Sequence, residues 1–367
     1  SQCNRNSDSI FPMRHIELFA GIGGFRQAMV GIQNDFGVPF DCLAFSEIDA
    51  NASKTYKANF STFKEIEMGD IVAFNEEMSQ YDTLDFELLT GGFPCQSFSM
   101  MGKKLGFNDH RGTMFFEIEK ILERKRPRFV LLENVKNLAT HDKGRTLKEI
   151  IGRLESLGYS VSYDIFNTAD FKLAQKRNRC IIFATTENLP EDFQFNAASI
   201  KKLFDDNCRQ FKSLSFQDSV LDVLATTVPQ KYYLSERIKP TLLADGSKNF
   251  VSKSEINQII ARPLTATMHK MHRACQDNYY SDGFIHASDP IAYLETQYSK
   301  DELAKQAIRK LTPEEAFALQ GFPTSFVTNA RQHKVSDGAL YKQAGNAVSV
   351  NVIYAVLYYI FVHLNMR

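Results

Sequence analysis

Short apolar runs alternate with amphipathic stretches between His15 and Ala184, and this alternation constrains the fold more than any other feature of the sequence. It is typical of βα units, which build a largely parallel sheet with helices on its faces. Phe115, Ile118 and Leu122, for example, recur at helical spacing. The predicted strands are His15–Phe19, Asp41–Ser46, Phe86–Leu89, Phe129–Leu132 and Cys180–Ala184.

The chain has 367 residues, of which 44% are hydrophobic, so it can form two domains or one large α/β domain with an insertion. Its formal net charge is zero, which gives no whole-molecule argument for nucleic acid, membranes or acidic partners. The six cysteines are scattered and form no Cys-x-x-Cys pair, which favours free thiols in a reducing cytoplasm.

The βα rhythm stops near Thr186 and helical patterning returns near the C-terminus. We therefore predict a flexible extension or expression scar at 1–12, a catalytic and cofactor-binding domain at 13–187, a second domain at 188–311, and a hinge with a return to the first domain at 312–367. The apolar run "VIYAVLYYIFVHL" is shorter than the roughly 20 residues that span a bilayer, so it predicts a core helix and no membrane partner.

Polar or glycine residues follow several predicted strands, where an open α/β sheet binds its ligands. Gly21, Gly23 and Gly24 follow the first strand, although an ordinary glycine-rich turn explains them equally well. Glu47 follows the second strand and is either a ribose contact or a solvated carboxylate. Asp70 is either a second ligand contact or the N-cap of a helix.

Cys95 follows the fourth predicted strand in the loop "TGGFPCQSFS", and Glu133 follows the fifth. A free cysteine is usually a small buried hydrophobe. A thiolate in a polar loop near cationic residues is instead a nucleophile, and Lys103 and Lys104 follow Cys95 in the chain. Residue chemistry alone leaves both interpretations open.

The ordered segments "FAGIGG", "GGFPCQSFS", "ENV", "QKRNR", "RKLTPEEAFALQGFP" and "GNAVSVNV" resemble the motif series of the DNA cytosine carbon-5 methyltransferases. The resemblance extends from Arg14 to Val352, except for the middle of the second domain. It implies a Rossmann-like methyltransferase fold of class α/β, with a mixed, mostly parallel sheet and a smaller target-recognition domain at 188–311.

The resemblance implies methyl transfer from S-adenosylmethionine to carbon 5 of a cytosine flipped out of duplex DNA. Cys95 would add to carbon 6 of the base, and Glu133 would hydrogen-bond N3 and the exocyclic amine. One of Arg177 and Arg179 would contact the cytosine O2, while the other would hold the active-site loop. The family residues that contact the cofactor correspond to Phe19, Gly21, Gly23, Gly24, Glu47, Ile48, Asp70, Ile71, Pro94, Met114 and Asn346.

Further expectations concern partners. The resemblance implies that Met101, Lys103 and Arg262 contact DNA. Arg262 has an alternative role, which is to support the fold of the second domain. The segment "ARPLTATMHKMH" belongs to the region that recognises the target sequence. The resemblance also implies a cytoplasmic bacterial protein, associated with the nucleoid through DNA. It implies a monomer that protects host DNA from a restriction endonuclease without binding it stably. We expect no metal, because His269, His272 and Cys275 lack a fourth ligand.

Two other classes compete with this interpretation. A related RNA methyltransferase would share the catalytic series, but the Cys-Phe-Thr signature of that branch is absent. A non-catalytic DNA-binding relative would lack the nucleophile, whereas Cys95 and Glu133 are intact here. The sequence departs from the family pattern at Lys172, where glycine is common, and at Phe93, which replaces the first proline of a Pro-Pro-Cys-Gln form.

Overall fold

The structure is a computed structural model that describes residues 12–94, 114–246 and 252–364. Its strands are β1 (Met13–Leu18), β2 (Phe40–Phe45), β3 (Ile66–Glu67), β4 (Leu88–Gly92), β5 (Phe129–Val135), β6 (Ser160–Asn167), β7 (Asn178–Thr185), β8 (Tyr279–Ser281) and β9 (Ile308–Lys310). Its α-helices are α1 (Gly24–Phe36), α2 (Ala50–Asn59), α3 (Ile71–Phe74), α4 (Met114–Lys125), α5 (Arg145–Ser156), α6 (Ala197–Asn207), α7 (Lys239–Leu243), α8 (Asp282–Ile285), α9 (Pro290–Glu295), α10 (Lys300–Ala304), α11 (Pro313–Leu319), α12 (Ser325–Gln332), α13 (Asp337–Asn346) and α14 (Val350–Leu364).

The main sheet has the order β3-β2-β1-β4-β5-β7-β6. Strands β3, β2, β1, β4 and β5 are parallel, whereas β7 runs antiparallel to both of its neighbours. The carboxyl ends of the parallel strands therefore meet at one edge. This confirms the predicted α/β class and the mixed, mostly parallel sheet. It also puts the start of β7, which carries Arg179, beside the end of β5, since Arg179 pairs with Val135.

All five predicted strands are present, each with bounds shifted by a few residues. The prediction missed β6, although Val161, Tyr163 and Ile165 alternate with polar residues along it. It also missed β3, which has only two residues and carries no period that a sequence could reveal.

Helix α14 is the apolar core helix that the sequence predicts. Its residues from Val350 to Ile360 are all buried, and it packs against α1 and α6. The stretch Asp337–Leu364 is apolar and long enough to cross a bilayer, but 72% of its most apolar window is buried inside the protein. A core helix of this kind meets the same compositional test.

Part of the predicted second domain packs on the main sheet. Phe195, Ile200, Phe204 and Phe211 belong to the same hydrophobic cluster as the α14 side chains. A separate small cluster, which includes Leu242, Tyr279 and Ile308, surrounds the two-stranded β8–β9 sheet. The predicted boundaries at 187 and 311 stay predictions.

Lys172, where glycine is common in the family pattern, has a φ of +63°. This left-handed conformation is strained for residues other than glycine, which explains the family preference. The backbone carbonyl of Lys172 accepts a hydrogen bond from Gln217 N at 2.7 Å, which fixes the turn despite the strain.

Candidate active site

A cavity of about 510 Å³ opens at the edge where the parallel strands end. This size suits a small-molecule ligand. The residues that line it are Phe19, Gly21, Ser46, Glu47, Ile48, Gly69, Asp70, Ile71, Gly92, Phe93, Pro94, Met114, Glu133, Asn134, Val135, Arg177, Arg179, Gly345 and Asn346. The cavity therefore joins nine of the eleven predicted cofactor contacts with three of the four predicted catalytic residues.

The β1–α1 turn forms one wall of the cavity. Phe19 and Gly21 both have positive φ, at +50° and +55°. The Gly21 N–H donates to Glu47 Oε1 at 2.8 Å, and the Asp49 N–H donates to Glu47 Oε2 at 2.8 Å. The carboxylate of Glu47 is thus fixed by backbone donors at the cavity wall, and it is not the freely solvated side chain of the alternative interpretation.

Gly23 and Gly24 do not line the cavity in this arrangement. A Cβ on Gly23 would lie 2.3 Å from a ring atom of Phe60, and one on Gly24 would lie 2.7 Å from Val348 Cγ2 and from Val348 O. These glycines are required because the turn packs tightly on its far side. Their direct contact with a cofactor stays a prediction of the resemblance.

Asp70 caps a helix and also lies at the cavity, so its contact with a ligand stays a prediction. Its carboxylate accepts a hydrogen bond from Val72 N at 2.9 Å and so caps α3, and the residue also lines the cavity. The side chain of Ile48 is 76% exposed at the rim, which is an unusual position for a large apolar residue. Ile71 and Met114 add further apolar wall.

Glu133 of β5 and Arg179 of β7 form an ion pair at the cavity. Arg179 Nε lies 3.2 Å from Glu133 Oε1, and the two side chains are only 24% and 12% exposed. A Cβ on Gly92 would lie 2.9 Å from Glu133 Oε2, so glycine at 92 makes room for this carboxyl group.

Arg177 binds backbone carbonyls rather than a carboxylate. Its Nη1 donates to Leu264 O at 2.9 Å, and its Nη2 donates to Gly345 O at 2.8 Å and to Ala347 O at 3.1 Å. Through these hydrogen bonds the buried Arg177, which directly precedes β7, links that strand to the segment at Leu264 and to the end of α13. The Arg177 and Arg179 side chains therefore differ in what they contact.

Burial raises the pKa of Glu133, and the neighbouring Arg179 and Arg177 lower it in part. Burial also raises the pKa of Glu47, against the hydrogen bonds donated by the backbone N–H groups of Asp49, Gly21 and Ile48. Burial lowers the pKa of Arg177, and the like charge of Arg179 adds to the effect. Perturbed pKa values of this kind cluster at functional sites.

Several cavity residues were not predicted as site residues: Ser46, Gly69, Gly92, Phe93, Asn134, Val135 and Gly345. Asn134 and Val135 belong to "ENV", so that motif could have indicated them. The Ser46 hydroxyl accepts a hydrogen bond from Phe19 N at 3.0 Å and so holds the turn after β1. No sequence signal indicates such a contact between two loops.

Three predicted site residues are not described by the structure, and a fourth, Arg262, does not line the cavity. Cys95, Met101 and Lys103 lie outside the described residues. Arg262 Nη1 donates to Glu255 O at 2.8 Å and to Asp277 O at 3.2 Å, which is the fold-supporting alternative for this residue. Among the described residues, no three His, Cys, Asp or Glu side chains are grouped as metal ligands.

Residues 13–361 match the family model of the C-5 cytosine-specific DNA methylases. The chain belongs to this family of DNA-modifying enzymes. It is 38% identical to the type II methyltransferase M1.ScrFI of Lactococcus lactis subsp. cremoris, over 93% of this chain and 76% of that protein. It is also 38% identical to M.HpaII of Haemophilus parainfluenzae, over 93% of this chain and 87% of that protein.

Solved structures agree on the fold. The methyltransferase EhMeth of Entamoeba histolytica superposes with a TM-score of 0.71 at 20% identity, covering 96% of this chain and 99% of that chain. A DNMT2 variant from Spodoptera frugiperda gives a TM-score of 0.70 at 19% identity, covering 95% of this chain and 99% of that chain. At such low identity, the likeness concerns the fold alone.

Proposed function

We propose that this enzyme transfers a methyl group from S-adenosylmethionine to carbon 5 of a cytosine flipped out of duplex DNA, through a covalent adduct of Cys95. The observation that carries the proposal is a single cavity that holds the Glu47 carboxylate, fixed by backbone donors, together with the partly buried Glu133–Arg179 pair. The family membership supports methylation of cytosine carbon 5, and the cavity offers residues suited to a cofactor around Glu47 and to a base around Glu133.

The cavity residues around Glu47 fit an adenosine cofactor. No atom lies within 4 Å of a Cβ built on Gly21, so the turn leaves open space at this point. The Glu47 carboxylate suits ribose hydroxyls, and the exposed Ile48 suits an aromatic base lying against it. Asp70, Ile71, Pro94, Met114 and Asn346 would complete the site. When bound, the cofactor would supply an electrophilic methyl group.

Cys95 and the cavity residue Glu133 fit the cytosine base. The Cys95 thiolate adds its electron pair to carbon 6 of cytosine, which makes carbon 5 nucleophilic. Carbon 5 would then take the methyl group as its bond to the sulfonium sulfur breaks and S-adenosylhomocysteine leaves. A base would remove the carbon-5 proton, and elimination would restore the ring and release the thiolate. Glu133 bonds N3 and the exocyclic amine while charge develops on the ring. Its raised pKa suits a carboxyl group that shares a proton with the base.

The different contacts of the two arginines suggest how their roles divide. Both arginines line the cavity, but Arg179 is the more exposed of the two and already holds Glu133, so we assign to it the contact with the cytosine O2. The guanidinium of Arg177 is occupied by three backbone carbonyls, so we assign to it the positioning of the loops around the site.

We propose that DNA lies against the turn that follows Leu264. A Cβ on Gly345 would lie 2.2 Å from the backbone carbon of Thr265, so the turn begins against α13 at the cavity. Partial burial lowers the pKa of His269, and so does the positive charge of Lys270, Lys310 and Lys342. This local positive charge suits phosphate contact although the chain has no net charge. Met101 and Lys103 stay proposed DNA contacts.

The biological setting is proposed from the relatives. Their names assign M1.ScrFI and M.HpaII to the type II methyltransferases. We propose that this enzyme likewise protects host DNA from a restriction endonuclease, acting as a cytoplasmic monomer without a metal or a stable complex with that endonuclease.

Bisulfite sequencing of plasmid DNA from cells that express the protein tests this function. We expect cytosines in one sequence context to resist conversion, and the same cytosines to convert when the cells express Cys95→Ser. Complete conversion with the unaltered protein would refute the proposal. Resistance in both samples would refute the role of Cys95.

A further inference from the structure

Glu17 is a fully buried carboxyl group in β1, two residues before the turn that lines the cavity. Its Oε1 accepts a hydrogen bond from the Tyr56 hydroxyl at 2.8 Å, and its Oε2 accepts one from the backbone N–H of Arg26 at 3.3 Å. Tyr56 belongs to α2 and Arg26 to the first turn of α1. One carboxyl group thus joins the first strand to the two helices that follow it.

The Arg26 side chain completes this buried network. Its Nη1 donates to the Tyr56 hydroxyl at 3.2 Å and to Glu65 Oε1 at 2.6 Å, and the guanidinium lies 4.7 Å from the centroid of the Phe60 ring. Glu17 itself does not line the cavity. Any effect on a ligand must therefore pass through other residues.

The joined elements are those that form the wall of the cavity. The turn between β1 and α1 carries Phe19 and Gly21, and α2 begins two residues after Ile48, with Asp49 as its N-cap. Gly23 packs so closely on Phe60 that a Cβ would collide with its ring at 2.3 Å, and the same Cβ would crowd the Tyr56 ring at 3.1 Å. A shift of Tyr56 or of the start of α1 therefore moves the turn.

We propose that Glu17 is a positioning residue for the cofactor turn, and that its ionised form holds the turn in the arrangement that binds S-adenosylmethionine. The inference rests on the function proposed above. Its physical basis is that an ionised carboxylate accepts hydrogen bonds from Tyr56 and from the Arg26 N–H more strongly than a neutral acid does. Protonation weakens both links between β1 and the helices.

The Glu17 carboxyl group titrates in a pH range in which binding can be measured. Burial raises the pKa of Glu17 to about 7, while the Tyr56 hydrogen bond and Arg26 lower it and Glu65 raises it. Burial lowers the pKa of His15, on the same face of β1, to about 3. Burial also raises the pKa of Cys42 and that of Tyr56 well above their usual values. Of these four groups, only Glu17 changes its charge between pH 6 and 8.5.

The test measures the dissociation constant of S-adenosylmethionine by calorimetry from pH 6 to 8.5. For the unaltered protein we expect affinity about tenfold weaker one pH unit below the Glu17 pKa than well above it. Glu17→Gln removes the ionisable group, so this part of the pH dependence disappears. Tyr56→Phe removes a hydrogen bond that lowers the Glu17 pKa, so the midpoint moves to higher pH.

Glu65→Gln is the matched control, because it breaks the ion pair with Arg26 but leaves both hydrogen bonds to Glu17. It should keep the size of the pH dependence, with the midpoint moved to lower pH because Glu65 raises the Glu17 pKa. Any contribution from Glu47, whose pKa is also raised, persists in Glu17→Gln and is thereby separated. Circular dichroism melts establish that each variant folds, and if Glu17→Gln does not, the Tyr56→Phe midpoint decides.

Affinity that is independent of pH in the unaltered protein would overturn the inference, and so would an unchanged pH dependence in Glu17→Gln or an unshifted midpoint in Tyr56→Phe. In each case the cofactor still binds and the proposed function stands. Absence of S-adenosylmethionine binding at every pH would instead refute the proposed function, and the inference with it.

Discussion

Arg179 Nε lies 3.2 Å from Glu133 Oε1, and the pair is formed across the antiparallel junction of β5 and β7. An all-parallel sheet would carry the start of the neighbouring strand to the opposite edge. Because β7 is reversed, its first residues lie beside the last residues of β5. The reversed strand thus delivers a cation to a carboxyl group that the parallel strands alone would leave unpaired at the cavity.

Removing the carboxyl group of Glu133 should separate chemistry from cofactor binding. In Glu133→Gln, we expect methyl transfer to fall about 10²- to 10³-fold, because an electrostatic contact to the developing charge is lost. The affinity for S-adenosylmethionine should change little. Single-turnover transfer of labelled methyl groups and calorimetry measure the two quantities. Glu119→Gln, which loses only an ion pair with Arg153, is the control and should retain activity.

Replacing the proposed nucleophile should abolish the reaction without unfolding the protein. We expect Cys95→Ser to incorporate no labelled methyl groups into duplex DNA, since a hydroxyl group is a far weaker nucleophile than a thiolate. Cys208→Ser changes a partly exposed thiol outside the cavity and should keep full activity. Undiminished incorporation by the Cys95 variant would contradict the covalent mechanism.

Glu47 and Asp70 should each contribute to cofactor binding. In Glu47→Ala and Asp70→Ala we expect weaker binding of S-adenosylmethionine by roughly 1.5–3 kcal/mol, the usual range for hydrogen bonds to charged groups. Calorimetry measures the change. Asp82→Ala removes an exposed carboxylate that pairs with Arg124 and should bind normally. If Glu47→Ala and Asp70→Ala bind S-adenosylmethionine as tightly as Asp82→Ala and the unaltered protein do, the proposed contacts are excluded.

Two glycines of α13 should differ sharply in their tolerance of a methyl group. A Cβ on Gly345 would meet the backbone of Thr265 at 2.2 Å, whereas one on Gly338 would lie 3.4 Å from the His269 ring. Gly345→Ala should therefore cost about 1–3 kcal/mol or more in the free energy of unfolding, and Gly338→Ala little. Urea denaturation compares them. Equal stabilities would show that the turn after Leu264 is not packed as described.

Buried His15 should make the protein sensitive to acid. Its pKa in the folded protein is about 3 against an ordinary value of 6.5, so below pH 6.5 the unfolded chain takes up a proton that the folded one does not. The resulting loss of stability approaches about 1.4 kcal/mol per pH unit down to pH 3. His15→Gln should show a smaller loss between pH 6 and 4 in urea denaturation, whereas the exposed-residue control His333→Gln should match the unaltered protein.

The sequence predicted the βα frame because that frame depends on local period, and the ordered motifs indicated most of the cavity. The sequence did not predict the contacts between loops, because they carry no local pattern. Gly21, Gly23 and Gly24 are alike in sequence, yet only the packed structure shows that Gly21 borders the cavity while Phe60 and Val348 fill the space behind the other two. The separate contacts of Arg177 and Arg179 likewise depend on the positions of Leu264 and Gly345, far along the chain.

The packing of α14 has a consequence for synthesis on the ribosome. Helix α1 is made before the other helices described, yet it packs against α14, which is made after all of them. The apolar face of α1, with Phe25, Met29 and Ile32, therefore lacks its native cover until α14 has left the exit tunnel. While the segments between the two helices are made, this apolar face is a site for association of nascent chains, and the native packing of α1 forms only once the chain has emerged through α14.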